Sequence, residues 1–383
     1  MLEIPNLHAF DQWHQQGAER EVAAILDVDL RSRSDALANG HFPGCLFLGC
    51  DIEHRVMGHL VHCGAVVLTD RENVDFSIHR GQLYSIEELY EGFDPDDPDG
   101  YHSTWDASIF RQYTDHGGPH PDSIGVSLAR RLHDHSITHA LNQAIEDHRV
   151  VAVMGGHGME RAHPFYAKVA RVSRTLARAG YLLVSGGGPG AMEATHLGAW
   201  FANFDDDHLL DDALQILSVR PPGTPTGREY ADRDWLHRAW KVRERYPLPA
   251  SVEIHSIGIP TWLYGHEPPA AFATQVAKYF ANSVREEGLL AIAEHGVIYA
   301  PGSAGTTQEI FQDATQNHYG SYGSRSPMIL MGREHWTEKR PVWPLLKQVA
   351  AGQIYAELLS LTDDEDEVVE RILTFDLEPY RSV

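Results

Sequence analysis

The sequence predicts an α/β fold: a doubly wound parallel sheet with helices on both faces, preceded by a smaller N-terminal α/β domain. Three observations predict it. After Arg149, short apolar runs alternate with helical segments, and runs without polar alternation mark strands covered on both faces. Glycine-rich turns follow three of those runs, at the strand ends where open parallel sheets bind ligands. A chain of 383 residues has the length of two domains, at roughly 150 residues per domain.

The first domain, residues 1–145, carries strand-like runs at 45–48 and 65–68 and a helical stretch at 85–90. The stretch 92–100 reads as a loop, because its prolines and glycines interrupt any ladder. A helical pattern covers 122–148, with Val126, Leu128, Leu132, Ile137, Leu141 and Ile145 at its apolar positions and a bend expected near His135-Ser136. The second domain, residues 146–383, places strands at 150–154, 181–184, 214–219, 254–259, 297–300 and 328–331. Helices are expected at 165–179, 228–245 and 272–284. The acidic run 362–367 reads as a helix start, with Thr362 as N-cap and carboxylates in the first turn, where the macrodipole favours them.

Charge narrows the partners. With 31 Lys+Arg against 54 Asp+Glu, the formal charge is −23, which disfavours a nucleic-acid polymer or an anionic membrane surface. A small anion stays compatible, because backbone amides at a helix start attract it locally. The start, MLEIPNLHAF, has neither a basic nor an apolar signal region, and no run approaches the roughly 20 apolar residues of a spanning helix. Three cysteines, Cys45, Cys50 and Cys63, make no disulfide framework, so a cytoplasmic protein is expected. Together with His54, His59 and His62 they invite a zinc reading. The spacing is not that of paired C-x-x-C ligands, and buried reduced thiols are the expectation, with zinc left open.

The chemistry concentrates in the turns. Gly155-Gly-His-Gly158 follows the first strand of the second domain. Ser185-Gly-Gly-Gly-Pro-Gly-Ala-Met-Glu193 and Pro301-Gly-Ser-Ala-Gly-Thr-Thr-Gln-Glu309 each follow a strand and open a helix. Glycines there let backbone approach a ligand, and the free amides of a helix start favour phosphate. No Gly-Lys-Ser/Thr marks a P-loop. Neither of the last two turns contains a lysine to hold pyridoxal phosphate, and the 154–159 turn matches G-x-G-x-x-G poorly.

The last two turns together resemble the LOG (Lonely Guy) family, whose hallmark is a glycine-triplet turn paired with P-G-G-x-G-T-x-x-E. The resemblance spans about Arg149 to the C-terminus. It implies a Rossmann-like fold and hydrolysis of nucleoside 5′-monophosphates to free base and ribose 5-phosphate, with no metal or redox cofactor. It also implies a homodimer or higher homo-oligomer, and the family's longer bacterial members carry N-terminal extensions. The chain departs from the pattern at Ser303, Ala304, Thr307 and Gln308. The family's helix M-x-x-R-K is similar to Asn282-Ser-Val-Arg-Glu286, with Glu286 in place of Lys and one extra residue between Arg285 and the Pro-Gly turn.

Carried onto this sequence, the resemblance makes Glu309 and Arg285 the catalytic residues. Breaking an N-glycosidic bond builds positive charge on the ribose, which a carboxylate stabilises while activating water. Arg285 would hold the phosphate or orient Glu309. Phosphate and substrate would be bound by Gly155, Gly156, Gly186, Gly187, Gly188, Gly190, Ala191, Met192, Pro301, Gly302, Ser303, Gly305, Thr306 and Thr307. Other readings stay open. Thr306-Thr-Gln-Glu309 is also a capping box, and Arg285 also suits a helix surface. Glu193 reads as structural, while Asp313 and Asn317 read as solvated or as reaching base or ribose. Trp262 and Tyr264 read as base-stacking or as core. A non-enzymatic nucleotide sensor on the same fold, or an NAD-dependent enzyme, remains the alternative. The N-terminal domain receives no role.

Overall fold

The structure is a computed structural model that describes residues 1–17, 21–68, 74–97, 100–219, 223, 226–249, 251–252 and 255–381. It divides into two compact units, one made of Met1–Leu83 with Arg111–Gln143, the other of Tyr84–Phe110 with Ala144–Val383.

In the first unit, strands β1 (Leu2–Ile4), β2 (Ala23–Leu26), β3 (Leu46–Leu48) and β4 (Val66–Leu68) form a parallel sheet in sequence order. Parallel neighbours need crossover connections, and helices Leu7–His14, Ser34–Asn39 and His54–His62 supply them. Phe10, Trp13, Ile25, Leu37, Phe42, Phe47 and Leu60 fill the core between helices and sheet. The sequence reading misses β1 and β2, which are three and four residues long and contain a glutamate and two alanines, residues poor in strand propensity. Cys45 and Cys50 pack in this core, and burial pushes the Cys50 thiol up to about 11. Cys63 lies 3.4 Å from His59 Nε2. Among the described residues no group of three or more His, Cys, Asp or Glu is placed to hold a metal ion.

The helix expected to bend near His135-Ser136 runs unbroken over Ile124–Ile145. Ser136 explains it: its hydroxyl donates to the His133 carbonyl within the helix (2.7 Å) and accepts from the Arg80 amide (3.0 Å). Its polar atom is thus satisfied without breaking the ladder.

The second unit is built on β5 (Arg149–Met154), β6 (Tyr181–Ser185), β7 (Ser256–Gly258), β8 (Gln275–Val276), β9 (Val297–Tyr299), β10 (Met328–Met331) and β11 (Leu359–Thr362). The order is β11-β10-β9-β5-β6-β7-β8, and every pairing is parallel. The chain winds outward from β5 to β8, returns to the other side of β5, and winds outward again through β11. This is the doubly wound α/β architecture, and its direction reverses between β5 and β9, so a crevice opens at their carboxyl ends. Tyr84 joins this unit by exchanging two backbone hydrogen bonds with Val276 of the edge strand β8.

Three expectations fail for identifiable reasons. Residues 214–219 are not a strand: they belong largely to helix His208–Leu217, which buries Leu210, Ala213, Leu214 and Leu217 at helical spacing. The helix expected at 272–284 is irregular chain containing the short strand β8, and a helix begins only at Asn282, running to Ala291. That stretch is buried almost throughout, so it has no polar face with which to form a surface helix. Thr362 ends strand β11, and the following helix, Glu365–Leu373, is capped by Asp364, whose carboxylate accepts from the Asp366 amide. Strand β7 covers part of the expected 254–259, of which Ile254 lies outside the described residues. Among the described residues no helix is long and apolar enough to cross a membrane.

Helices Pro164–Arg178 and Ala191–Phe201 cover one face of the sheet and touch at Gly198, where a Cβ would collide with the Ala170 carbonyl oxygen. Gly288, in helix Asn282–Ala291, has nothing within 4 Å of such a Cβ. Thermal melting should therefore move in opposite directions. Gly198→Ala is expected to cost about 1–3 kcal/mol through overpacking, and Gly288→Ala to gain about 0.5–1 kcal/mol from reduced unfolded-chain entropy.

Candidate active site

Three turns meet above the crevice. The β5 turn carries Gly155 to Gly158, the β6 turn leads through Gly190 into helix Ala191–Phe201, and the β9 turn leads through Ser303 into helix Ala304–Tyr319. They touch directly: the Gly156 amide donates to Pro301 O (3.3 Å) and the Ala191 amide to Gly156 O (3.4 Å). Gly190 makes this possible. Its φ is +73°, and any Cβ there would collide with the Gly156 carbonyl.

Around these turns and the 259–267 loop after β7 lies a cleft of about 210 Å³. Of the residues expected from sequence, Gly155, Gly156, Gly186, Gly188, Met192, Ser303, Gly305, Thr306, Arg285 and Glu309 line it. Gly187, Gly190, Ala191, Pro301, Gly302 and Thr307 are not among the lining residues. Gly187 lies against Pro260, Ala191 is fully buried, and the Thr307 hydroxyl turns back to Ser303 O (3.0 Å). The Gly302 carbonyl lies 3.0 Å from His335 Nε2.

Arg285 is buried, only 8% exposed, so the surface-helix reading is set aside. Its Nε donates to Ile259 O at 2.7 Å and its Nη2 to Gly186 O at 3.2 Å, which ties the ends of β7 and β6 together. Its Nη1 stands 4.0 Å from Glu309 Oε1. Gly186 is required at this point, since a Cβ would collide with the guanidinium. Helix Ala304–Tyr319 starts too early for the capping-box reading. Ser303 occupies the N-cap position without a side-chain cap, and Thr306 is already inside the helix. Burial raises the Glu309 carboxyl to about 7, with Arg285 opposing and the Glu286 carboxylate adding to the rise. Glu286 is held by Asn282 Nδ2 (2.7 Å) and Gln308 Nε2 (3.0 Å).

A second carboxyl group, which the sequence reading misses, faces the cleft. Glu267, at the end of the β7 loop, lies 3.4 Å from His157 Nδ1 and 3.9 Å from His266 Nε2. Burial raises its carboxyl above the ordinary range, against the pull of His157, His266 and Arg285. The signal available was positional: this loop leaves the same carboxyl edge of the sheet as the glycine turns. Tyr264 from the same loop lines the cleft, whereas Trp262 is core. Trp262 stacks on Phe280 with centroids 4.3 Å apart and donates from Nε1 to Asp106 (3.0 Å).

Other acids have structural work. Glu193 is fully buried and accepts from Arg161 Nε (2.8 Å) and Nη2 (2.5 Å) and from the Tyr166 hydroxyl (2.8 Å). Asp313 and Asn317 are neither solvated nor lining the cleft. Asp313 accepts from Tyr299 (2.7 Å) and from Asn317 Nδ2 (3.0 Å), and Asn317 accepts from the Ser326 amide (2.8 Å).

No family model matches the chain, and no curated protein matches it either. Among solved structures, it is similar to the molybdenum cofactor binding protein from the phototrophic bacterium Rippkaea orientalis. The two share 16% identity over 59% of this chain and 98% of the other, with a TM-score of 0.34.

The Glu309 shift makes a stability prediction. Its folded value of about 7 exceeds the ordinary 4.5, so the native state binds the proton more tightly than the unfolded chain does. The stabilisation is complete below about 4.5 and is lost as pH rises through about 7. A glutamine does not titrate. Glu309→Gln should therefore melt several degrees above the parent at pH 8, and the gap should shrink towards pH 5. A variant that melts lower at pH 8 contradicts the buried-carboxylate account.

Proposed function

We propose that the second unit hydrolyses the N-glycosidic bond of nucleoside 5′-monophosphates, as its resemblance to the LOG family implies. The observation that carries the proposal is the Arg285–Glu309 pair, 4.0 Å apart on a cleft walled by three glycine turns. The start of helix Ala304–Tyr319 presents Ser303, Gly305 and Thr306 to that cleft, and unsatisfied amides at such an end suit a phosphate dianion. Held there, the 5′-phosphate leaves the ribose beside Glu309, further along the same helix.

The chemistry divides among the chain's own groups. As the C1′–N bond lengthens, positive charge spreads over C1′ and the ring oxygen, and the Glu309 carboxylate stabilises it. The same carboxylate takes a proton from the water that attacks C1′. Arg285 keeps Glu309 oriented and favours its ionised form. Because its Nε and Nη2 donate to Ile259 O and Gly186 O, its position is set by the two strand ends, and a lysine would not reproduce that fork. The cleft of about 210 Å³ is smaller than the roughly 300 Å³ at which pockets for whole small molecules begin, a size suited to ribose phosphate with the base projecting beyond it.

The test is release of free base and ribose 5-phosphate from AMP, GMP, CMP and UMP, followed by chromatography. Glu309→Gln should lower kcat roughly 10²–10⁴-fold, and Arg285→Lys should lower it as well. Glu309 must be ionised to act, so kcat/KM should rise with pH through an apparent value near 7. Binding of these nucleotides without release of base by the parent protein overturns the proposal.

A further inference from the structure

The cleft explains where phosphate and ribose could lie but leaves the leaving group unattended. A purine or pyrimidine departs poorly as an anion, so the reaction needs a proton donor on the side of the base. Glu267 is placed to be that donor. Glu267 lines the cleft, and its side chain is only 11% exposed. Next to it a larger cavity of about 570 Å³ opens in the same unit. His266, the residue before Glu267, lines that cavity, as does Tyr230. Tyr230 packs edge-on against His157 of the cleft, with centroids 6.1 Å apart and planes at 89°. His266 and Pro268, on either side of Glu267, and Tyr230 beside His157 thus line a chamber with the room for a base that the cleft lacks, and its Phe93, Tyr101 and Tyr230 rings suit a flat heterocycle.

We propose that Glu267 is the acid that protonates the departing base, and that the adjoining cavity receives that base. This rests on the nucleotide-hydrolysing reading of the same site. The step balances as follows. The C1′–N bond breaks and its electron pair passes to the base, whose ring nitrogen takes the proton from the Glu267 carboxyl. The water oxygen bonds to C1′ and its proton goes to Glu309. The products are neutral base and ribose 5-phosphate. Glu309 then returns its proton to solvent and Glu267 regains one.

Neighbours decide which carboxyl group is which. Glu309 has the guanidinium of Arg285 at 4.0 Å, which suits the ionised partner. Glu267 has two imidazoles, His157 and His266, whose side chains are 49% and 57% exposed. They can carry a proton in from solvent after each turnover. The charged and titratable groups facing Glu267 are His157, His266, Arg285, Tyr230 and Tyr264. Burial, the largest influence, favours its protonated form.

A substrate that needs no protonation isolates this role. In 7-methylguanosine 5′-monophosphate the base is already cationic and leaves neutral, whereas the base of GMP must be protonated. Glu267→Gln should lower kcat on GMP by about 100-fold or more and on the 7-methyl nucleotide by less than about fivefold, without lowering the melting temperature. Glu309→Gln should lower both. Equal losses on the two substrates, or no loss on either, overturn the role of Glu267 and leave the nucleotide-hydrolysing reading intact. No release of base from any monophosphate by the parent protein overturns that reading, and this one with it. If the parent refuses only the 7-methyl nucleotide, the pH profile on GMP decides. The fall in kcat at alkaline pH should vanish in Glu267→Gln, and its persistence overturns the assignment.

Discussion

The second unit turns on a buried guanidinium. A cation cannot be taken from water without partners, and Arg285 finds them in two backbone carbonyls belonging to different strand ends. That requirement fixes more than the arginine. It holds the β6 turn against the β7 loop and forbids a side chain at Gly186. It also leaves one edge of the guanidinium facing Glu309 at 4.0 Å, beyond hydrogen-bond range and close enough to be felt electrostatically. Satisfying Arg285 thus also shapes the cleft, because Gly186 and Glu309, beside the guanidinium, are among its walls.

The buried acids of this unit separate by how they are partnered. Glu193 accepts a bidentate fork from Arg161 and a tyrosine hydroxyl, and Arg161 in turn donates to Trp235 O (2.7 Å) and through its amide to Glu229 (2.8 Å). Breaking such a closed set costs several kcal/mol, because it strands a charge. Asp313 is satisfied by Tyr299 and Asn317. Glu309 and Glu267 differ in kind. Their ion partners stand at 4.0 Å and 3.4 Å, and both face open volume. Burial lifts a carboxyl group towards neutrality even where it is tightly partnered, as Asp313, also raised to about 7, shows; a carboxyl group that faces open volume is in addition free to exchange a proton with a ligand.

Legibility in the sequence followed the physics of each element. Runs such as Val150–Met154, and the glycine turns after them, were readable because strands buried on both faces are unbroken apolar stretches and because their crossovers need helices. Residues 214–219 misled because a short apolar run has no period of its own, and only the burial of Leu210 and Ala213 upstream reveals the helix. The 272–281 stretch misled for the opposite reason, being buried all round as irregular chain at the sheet edge. Arg285 and Glu309 could be matched to a motif. Glu267 could not, since it sits in an aperiodic loop and its chemistry arises only from burial and from His157, distant in sequence. Trp262 and Tyr264, two residues apart, point one into the core and one into the cleft, a divergence that no spacing argument resolves.

The charge of −23 then takes on a more local meaning. Exposed charges farther than about 8 Å are largely screened at physiological salt, so an anion in the cleft responds chiefly to its immediate lining. That lining holds three carboxyl groups, Glu267, Glu286 and Glu309, against Arg285 and the imidazole of His157. With all three ionised it would repel a phosphate. Burial raises two of them, Glu309 to about 7, so near neutral pH part of the charge is already cancelled by protons. An acidic protein can in this way admit a small anion without a basic patch.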